Sequence, residues 1–342
     1  MNQPLIYRES PTELEKHRPA SARRAVRTQD LALNFEQHAL FYLMLAGIHA
    51  LSLIPDFILR PLGAVGGLVA YLIDRRHVGI GMRNLEIAFP QRSQQERRRI
   101  LRASYLNLGR SAAEYIRLGG FFHRRIMKSV IYSRFEYWDE IRRRYPGKGV
   151  LILTAHFGSF ELLPAVHAMH GYQITLVHHT QRFLAGDALM TFVRRRAGVT
   201  IMRKHAAARG VLKALRQGEM VGIPFDQNAK RSEAIFVPFF GELAASSSGL
   251  ARLVAISEVP VVPVFLVREP NQRAHRIEIL DEIPLQRSSD ERADAEENTR
   301  RFVEAIENFV RRYPEQFLWT HRRYRTRPVG APPIYDARLK PR

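Results

Sequence analysis

The stretch Leu151–Pro164, reading LILTAHFGSFELLP, decides the fold. It opens with a short apolar run, Val150–Thr154, of the kind that forms a strand buried on both faces. The strand is expected to end at Ala155-His156, with Gly158 permitting a turn and Ser159 as the expected N-cap of a following helix. Glu161 then falls in the first helical turn. On one continuous helix, residues five apart point about 140° away from each other. Across a strand-to-helix turn His156 and Glu161 can face one another.

Downstream, the pattern repeats. Ile174–Val177, Val199–Met202, Val221–Pro224 and Val259–Val267 read as strands, and Ile277–Leu280 alternates as an edge strand. Val211–Arg216, Leu250–Ile256 and Glu297–Tyr313 read as helices between or after them. Strands alternating with helices predict an α/β fold, a mostly parallel central sheet with helices on both faces and right-handed crossovers.

Upstream the chain is helical. Ser93–Arg117 carries apolar residues at helical spacing behind a capping box, Ser93 with Glu96, and a second charged helix is expected over Glu136–Tyr145. Ala39–Ile73 is the most apolar region, interrupted by Pro55, Asp56, Arg60 and Pro61. Its clean run, Ala39–Ile54, is 16 residues long, short of the roughly 20 that span a bilayer. A tilted span, a pair of interfacial helices and a buried helix pair all fit. Membrane contact is favoured, because Arg75, Arg76 and His77 follow at once and basic residues are drawn to anionic headgroups. The chain divides into a flexible polar extension over 1–37, an N-terminal membrane-associated helical region over 38–125, an α/β catalytic domain over 126–330 and a basic tail over 331–342. The extension lacks the basic cap, apolar core and small-residue cleavage site of a secretory signal.

With 53 Lys+Arg against 33 Asp+Glu, the formal charge is +20, which suits nucleic acid, an anionic membrane or an acidic carrier protein. No recognition helix, zinc finger or aromatic RNA-binding signature is present, and the apolar segment also argues against nucleic acid. There is no cysteine, which excludes disulfides, thiolate catalysis and zinc–cysteine sites. His178-His179 has no suitably spaced acidic or histidine partner, so no metal and no cofactor are expected.

Histidine suits general-base work because its ordinary pKa lies near neutrality. With Glu161 fixing one ring nitrogen, the other nitrogen of His156 could take a proton from a hydroxyl. That hydroxyl could attack a thioester with no enzyme nucleophile. Ser159 is a poor alternative nucleophile, since HFGSFE lacks the G-x-S-x-G elbow. Alone, a His and a Glu five apart are more often ordinary packing or surface residues. In the basic run Arg322, Arg323, Arg325 and Arg327, phosphate contact is favoured over a solvated tail because Trp319 and His321 imply a packed segment. Arg97–Arg99 and Arg142–Arg144 read as helix surface or as docking points for an acidic carrier. Phe236, Phe239, Phe240 and Leu243 fit either an acyl groove or the core.

The H-x-x-x-x-E pattern after an apolar strand resembles the bacterial lipid A biosynthesis acyltransferases, the late lauroyl and myristoyl transferases, within the glycerolipid acyltransferase superfamily. Further stretches agree in order: Asn84-Leu85 with Phe89-Pro90, Asp226 after its strand, Val237–Gly241, Gly249–Arg252, Val261–Pro263 and Pro314–Arg323, reading PEQFLWTHRR. The likeness covers about Phe41 to Pro328. It implies transfer of an acyl group from acyl-acyl carrier protein to a hydroxyl of an anionic glycolipid, at the cytoplasmic side of the inner membrane. By that likeness His156 is the base and Glu161 its partner. Arg195, within Arg194-Arg195-Arg196 where the register is open by one, meets phosphate or the oxyanion, and Asp226 is an acidic position needed for activity. The chain departs from the family after its second strand, where His178–Arg182 replaces Tyr-Arg-Pro, and around Ser159-Phe160 and Asp226–Asn228. An acyl-CoA-dependent relative with another acceptor (lysophospholipid, phosphoinositol mannoside or amino-acid lipid) would share the fold and the dyad. An inactive membrane scaffold is disfavoured by intact His156 and Glu161.

Overall fold

A computed structural model describes residues 33–178, 180–203, 207–271 and 274–336. Most of the polar extension, His179 and the end of the basic tail lie outside the described residues. The helices are α1 (Phe35–Leu51), α2 (Asp56–Ile73), α3 (Arg75–Ala88), α4 (Gln94–Gly119), α5 (Tyr137–Arg144), α6 (Leu162–Met169), α7 (Leu184–Arg196), α8 (Ala207–Arg216), α9 (Gly249–Ser257) and α10 (Glu291–Arg312). The strands are β1 (Val130–Tyr132), β2 (Val150–Thr154), β3 (Ile174–His178), β4 (Thr200–Arg203), β5 (Met220–Pro224), β6 (Ala234–Phe239), β7 (Glu242–Ser247), β8 (Val261–Arg268) and β9 (His275–Ile279).

Seven strands form one sheet in the order β1-β9-β8-β2-β5-β3-β4, and β6 and β7 make a separate antiparallel hairpin. The five strands β8-β2-β5-β3-β4 run parallel, as the alternation of strands and helices predicts. β9 runs antiparallel to β8. β9 is not the edge expected of Ile277–Leu280, because three-residue β1 covers its outer side. A three-residue strand is too short to show a period of two. The β6–β7 hairpin, which the sequence reading left without strands, pairs Phe239 with Glu242 around a Phe240-Gly241 turn.

β2 sits mid-sheet, and all five of its residues are buried. Its side chains alternate as the pleat requires. Leu151 and Leu153 enter one core with α8, α9 and α10, while Val150 and Ile152 enter the other with α5, α6 and α7. α4 crosses both, with Leu101 and Tyr105 in the first and Leu118 in the second. Its start carries the expected capping box between Ser93 and Glu96.

α2 packs on α4 through glycine. A Cβ on Gly67 would lie 2.2 Å from the Tyr105 carbonyl oxygen, and one on Gly109 would lie 2.0 Å from that of Gly63, so the two backbones touch. The opposite face of α2 is bare: Phe57 is 75%, Leu72 64% and Ile73 74% exposed. α2, and not the Ala39–Ile54 run, is the described helix long and apolar enough to cross a bilayer, with 18 residues and a mean hydropathy of 1.5. At 1.5 Å per residue it reaches roughly 27 Å, close to the roughly 30 Å hydrocarbon thickness.

Candidate active site

Two strand ends build the site. In the β2–β5 register Thr154 lies opposite Pro224. Two residues further along each strand come His156 and Asp226, and the Phe225 amide still donates to the Thr154 carbonyl. The parallel register therefore delivers His156 and Asp226 side by side at the carboxyl edge, where open α/β sheets bind ligands. His156 Nδ1 lies 2.9 Å and 3.2 Å from the two Asp226 oxygens.

Their surroundings fix the charge states. Asp226 is 3% exposed. Burial pushes its carboxyl up, but the charge and hydrogen bond of His156 outweigh burial and leave it below its ordinary range. Asp226 is then a carboxylate, so Nδ1 carries the proton and donates it. For His156 burial disfavours the charged form, yet the Asp226 carboxylate prevails and raises the imidazole above its ordinary value. Nε2 is left as the acceptor. The ring is 21% exposed. Phe160 meets it edge-on, with centroids 4.9 Å apart. The Gln227 amide nitrogen is 3.3 Å from Nε2 and 3.5 Å from Nδ1; being nearly equidistant from both nitrogens, it lies against the ring face.

Glu161 does not hold His156. Arg194 grips both its oxygens, Nε at 2.9 Å and Nη2 at 2.7 Å. The expected cap fails as well: α6 starts at Leu162, whose amide donates to the Ser159 carbonyl, and the buried Ser159 hydroxyl has no partner among the described residues. Glu161 thus precedes the helix and turns toward α7. The Glu161 carboxylate still acts on His156 as a nearby negative charge. The network continues through Arg194 Nη1 to His178 Nδ1 at 3.0 Å, and from His178 Nε2 to Asp187 at 2.6 Å. Asp187 also accepts from the Gln181 amide at 2.9 Å.

The arginine in the site is therefore Arg194. Its neighbour Arg195 lines a cavity of about 260 Å³ with Thr191, Ile201 and Arg203, beside β4. Adjacent helical residues point about 100° apart, so Arg194 turns to Glu161 and His178 while Arg195 turns toward β4.

The C-terminal motif straps the turn after His156 in place. Gly158 donates its amide to the Gln316 carbonyl at 2.9 Å, and Leu318 donates to the His156 carbonyl at 3.1 Å. Gly158 sits at φ +59° with the Leu266 carbonyl 2.0 Å from where a Cβ would stand, so no other residue fits. From α4, Asn107 and Ser111 donate to the Gly158 carbonyl at 3.2 Å and 3.1 Å. Behind them Glu114, Arg268 and His275 form a buried ionic cluster. Burial opposes the Glu114 carboxylate, but His275 and Arg268 hold its pKa far below normal.

Arg323 is also structural: 3% exposed, it donates to the Gln227 and Ala245 carbonyls at 3.2 Å and 2.6 Å and to Ser246 Oγ at 2.5 Å. It ties the hairpin to the loop after Asp226 and has no room for a ligand phosphate, contrary to the expectation from its basic run. Arg322 is half-buried and stacks its guanidinium 5.2 Å over the Tyr335 ring. His321 accepts from the Asn228 amide at 3.0 Å, and burial pushes its pKa down to about 4. Phe239 and Phe240 go to the core, whereas Leu243 is 40% exposed. Among the described residues no group of three His, Cys, Asp or Glu could hold a metal ion.

The sequence reading placed the arginine at Arg195 with the register open by one, and gave His178, Asp187 and Gln227 no role beside His156. For Arg194 a local signal existed, the run Arg194-Arg195-Arg196 closing a helix. His178 and Asp187 are brought in by the β5-β3-β4 order and Gln227 by the β2–β5 register, neither of which a short spacing encodes.

The chain matches the family model described as bacterial lipid A biosynthesis acyltransferase over residues 28–326. It is 29% identical over 304 residues to the lipid A biosynthesis palmitoleoyltransferase of Escherichia coli, covering 87% of this chain and 96% of the relative. The lauroyltransferase of the same organism is 28% identical over 302 residues, covering 87% and 96%, and its myristoyltransferase 26% over 295 residues, covering 84% and 88%. A family match across most of the chain, together with a histidine and a carboxylate at the carboxyl edge of a mostly parallel sheet, identifies this protein as a member of the bacterial lipid A biosynthesis acyltransferase family.

Proposed function

We propose that the chain transfers an acyl group from an acyl thioester, carried on acyl carrier protein, to a hydroxyl of a lipid A precursor, with His156 as general base and Asp226 as its orienting partner. The observation that carries this reading is the 2.9 Å contact of His156 Nδ1 with Asp226, which leaves Nε2 as acceptor at an open strand edge. The acceptor hydroxyl gives its proton to Nε2 as its oxygen attacks the thioester carbonyl. Asp226 stabilises the imidazolium that forms. The tetrahedral intermediate then expels the thiolate, which takes the proton back from Nε2. No covalent acyl-enzyme forms, consistent with zero cysteines.

In this reading Arg194 and Glu161 shape the floor beside the base, and Arg195 and Arg322 meet anionic parts of the substrates. The bare face of α2 and the neighbouring Leu43, 70% exposed, rest in the cytoplasmic leaflet of the inner membrane, with Arg75 and Arg76 at the headgroups.

The test is acyl transfer by purified protein in detergent, pairing acyl-carrier-protein and acyl-CoA donors with lipid A precursor and lysophospholipid acceptors. Transfer from the carrier to the lipid A precursor, absent in His156→Ala, is the expected result. Transfer only to lysophospholipid, or only from CoA, would reassign the acceptor or donor. Full activity of the variant would remove the base.

A further inference from the structure

Attack on a thioester moves negative charge onto the carbonyl oxygen, and a hydrogen-bond donor aimed at that oxygen lowers the barrier. Several donors that flank His156 are committed elsewhere. Arg194 gives Nε and Nη2 to Glu161 and Nη1 to His178. Arg323 is buried against the Gln227 and Ala245 carbonyls and Ser246. The Asn228 side-chain amide donates to the Ala229 carbonyl and to Thr326. The Gly158 backbone amide donates to the Gln316 carbonyl.

Gln227 is placed differently. Its side chain is exposed at the strand edge, with the amide nitrogen 3.3 Å from His156 Nε2. Among the described residues that side chain has no hydrogen-bonding contact other than the imidazole. Because the nitrogen lies against the ring face, the Nε2 lone pair, which is in the ring plane, stays open to an acceptor hydroxyl. The backbone beneath is held on three sides. Asp226 pairs with His156, the Gln227 carbonyl accepts from buried Arg323 at 3.2 Å, and the Asn228 amide donates to His321 at 3.0 Å. The loop therefore fixes the root of the side chain and leaves its tip available.

Substrate geometry follows from the base. A hydroxyl giving its proton to Nε2 stands about 2.6–3.2 Å from it, and the carbon it attacks begins about 3–3.5 Å from that oxygen. The carbonyl oxygen enters beside them. A donor already 3.3 Å from Nε2 reaches the roughly 2.7–3.1 Å of an oxyanion contact by side-chain rotation alone.

We propose that Gln227 is a further catalytic residue, whose side-chain N–H donates to the thioester carbonyl oxygen and stabilises the oxyanion. As the acceptor oxygen bonds to the carbonyl carbon, its proton goes to Nε2 and the carbonyl π pair moves onto oxygen. Gln227 hydrogen-bonds that oxygen and keeps its own proton. When the carbonyl re-forms, the carbon–sulfur bond breaks and the thiolate takes the proton from Nε2. This role rests on the function proposed above.

The test is steady-state acyl transfer by full-length protein in detergent, from acyl carrier protein thioester to lipid A precursor, with the His156 imidazole followed by nitrogen-15 NMR. Wild type is compared with Gln227→Met, Gln227→Asn and Gln227→Glu. Gln227→Met fills similar space without an N–H. Its kcat should fall about 10²-fold, with both KM values and the His156 tautomer and titration midpoint unchanged. Gln227→Asn keeps the N–H on a shorter arm and should recover part of the loss. Gln227→Glu lacks the donor and adds negative charge, so it should be at least as slow and move the acid limb of kcat/KM to higher pH. A Gln227→Met kcat equal to that of wild type would overturn the role. So would a loss that tracks a changed His156 tautomer or midpoint, the mark of a residue that only packs the ring. If wild type transferred nothing from carrier or CoA to either acceptor, the proposed function would fail and take this role with it. An active wild type with an unaffected Gln227→Met would remove the role alone.

Discussion

His156 with Asp226 and His178 with Asp187 are the same chemical pair at the ends of nearby strands, yet their surroundings make them different devices. In the first, Nδ1 meets the carboxylate and Nε2 faces the opening, the ring being 21% exposed. In the second, Nε2 meets Asp187 at 2.6 Å, Nδ1 faces Arg194 at 3.0 Å, and the ring is 6% exposed. A base needs one nitrogen fixed and one available. The second pair has both engaged, so it can only brace. What it braces is Arg194, and through Arg194 the Glu161 carboxylate beside His156.

The largest effect should come from His156→Ala. Acyl transfer is expected to fall by about 10⁴-fold or more, with the melting temperature and detergent elution volume unchanged. Activity within tenfold of wild type would erase the distinction between the two pairs. Asp226→Asn should come next, with a loss on the order of 10²–10⁴ in kcat because the amide no longer fixes the tautomer or stabilises the imidazolium. The acid limb of kcat/KM should also move to lower pH, since the carboxylate is what raises His156.

His178→Ala sharpens the contrast from the other side. It leaves buried Asp187 without its imidazole and should cost roughly 3 kcal/mol of stability, read as a lower denaturant midpoint. Loss of activity should be no more than about tenfold and be shared by Asp187→Asn. If His178→Ala instead abolished turnover in stable protein, the second pair would have to be chemical.

The smallest effect separates imidazoles with and without a carboxylate. Among the described residues neither His167 nor His321 hydrogen-bonds a carboxylate, and burial, against the nearby Asp226 charge in the case of His321, holds their pKa values at about 3 and about 4. Both are neutral in the fold, whereas the unfolded chain binds a proton near pH 6.5. Their contribution is therefore intact above pH 6.5 and lost as pH falls through 4 to 3. Each costs up to about 1.4 kcal/mol per pH unit. His156 acts with the opposite sign: its raised pKa adds stability below 6.5 that disappears as pH climbs past the folded value. Chemical denaturation from pH 7 to pH 4 should show net destabilisation, reduced in a conservative His167→Gln variant.

The fold was legible where hydrophobic runs are local. β2, β5, the Ser93 cap and the parallel sheet all follow from short apolar segments and a capping pair. The place of His156 was legible too, as a histidine just past a buried strand. Its partner was not. Asp226 lies 70 positions away, and only the β2–β5 register brings it opposite. Glu161 was the nearer carboxylate in sequence, but the extra turn at Ser159–Glu161 aims it at Arg194. The C-terminal motif was visible as a packed segment, while its work as a backbone strap on Gly158 depends on hydrogen bonds across more than 150 residues, which side-chain types do not encode.

Asp226, more than Glu161, sets the state of the His156 imidazole. The direct measurement is a nitrogen-15 NMR titration of histidine-labelled protein in detergent, for wild type, Asp226→Asn and Glu161→Gln. Wild type is expected to show an Nδ1–H tautomer for His156 titrating above pH 6.5, with the midpoint dropping well below that in Asp226→Asn and only slightly in Glu161→Gln. An Nε2–H tautomer in wild type, or a midpoint that follows Glu161→Gln and ignores Asp226→Asn, would contradict it.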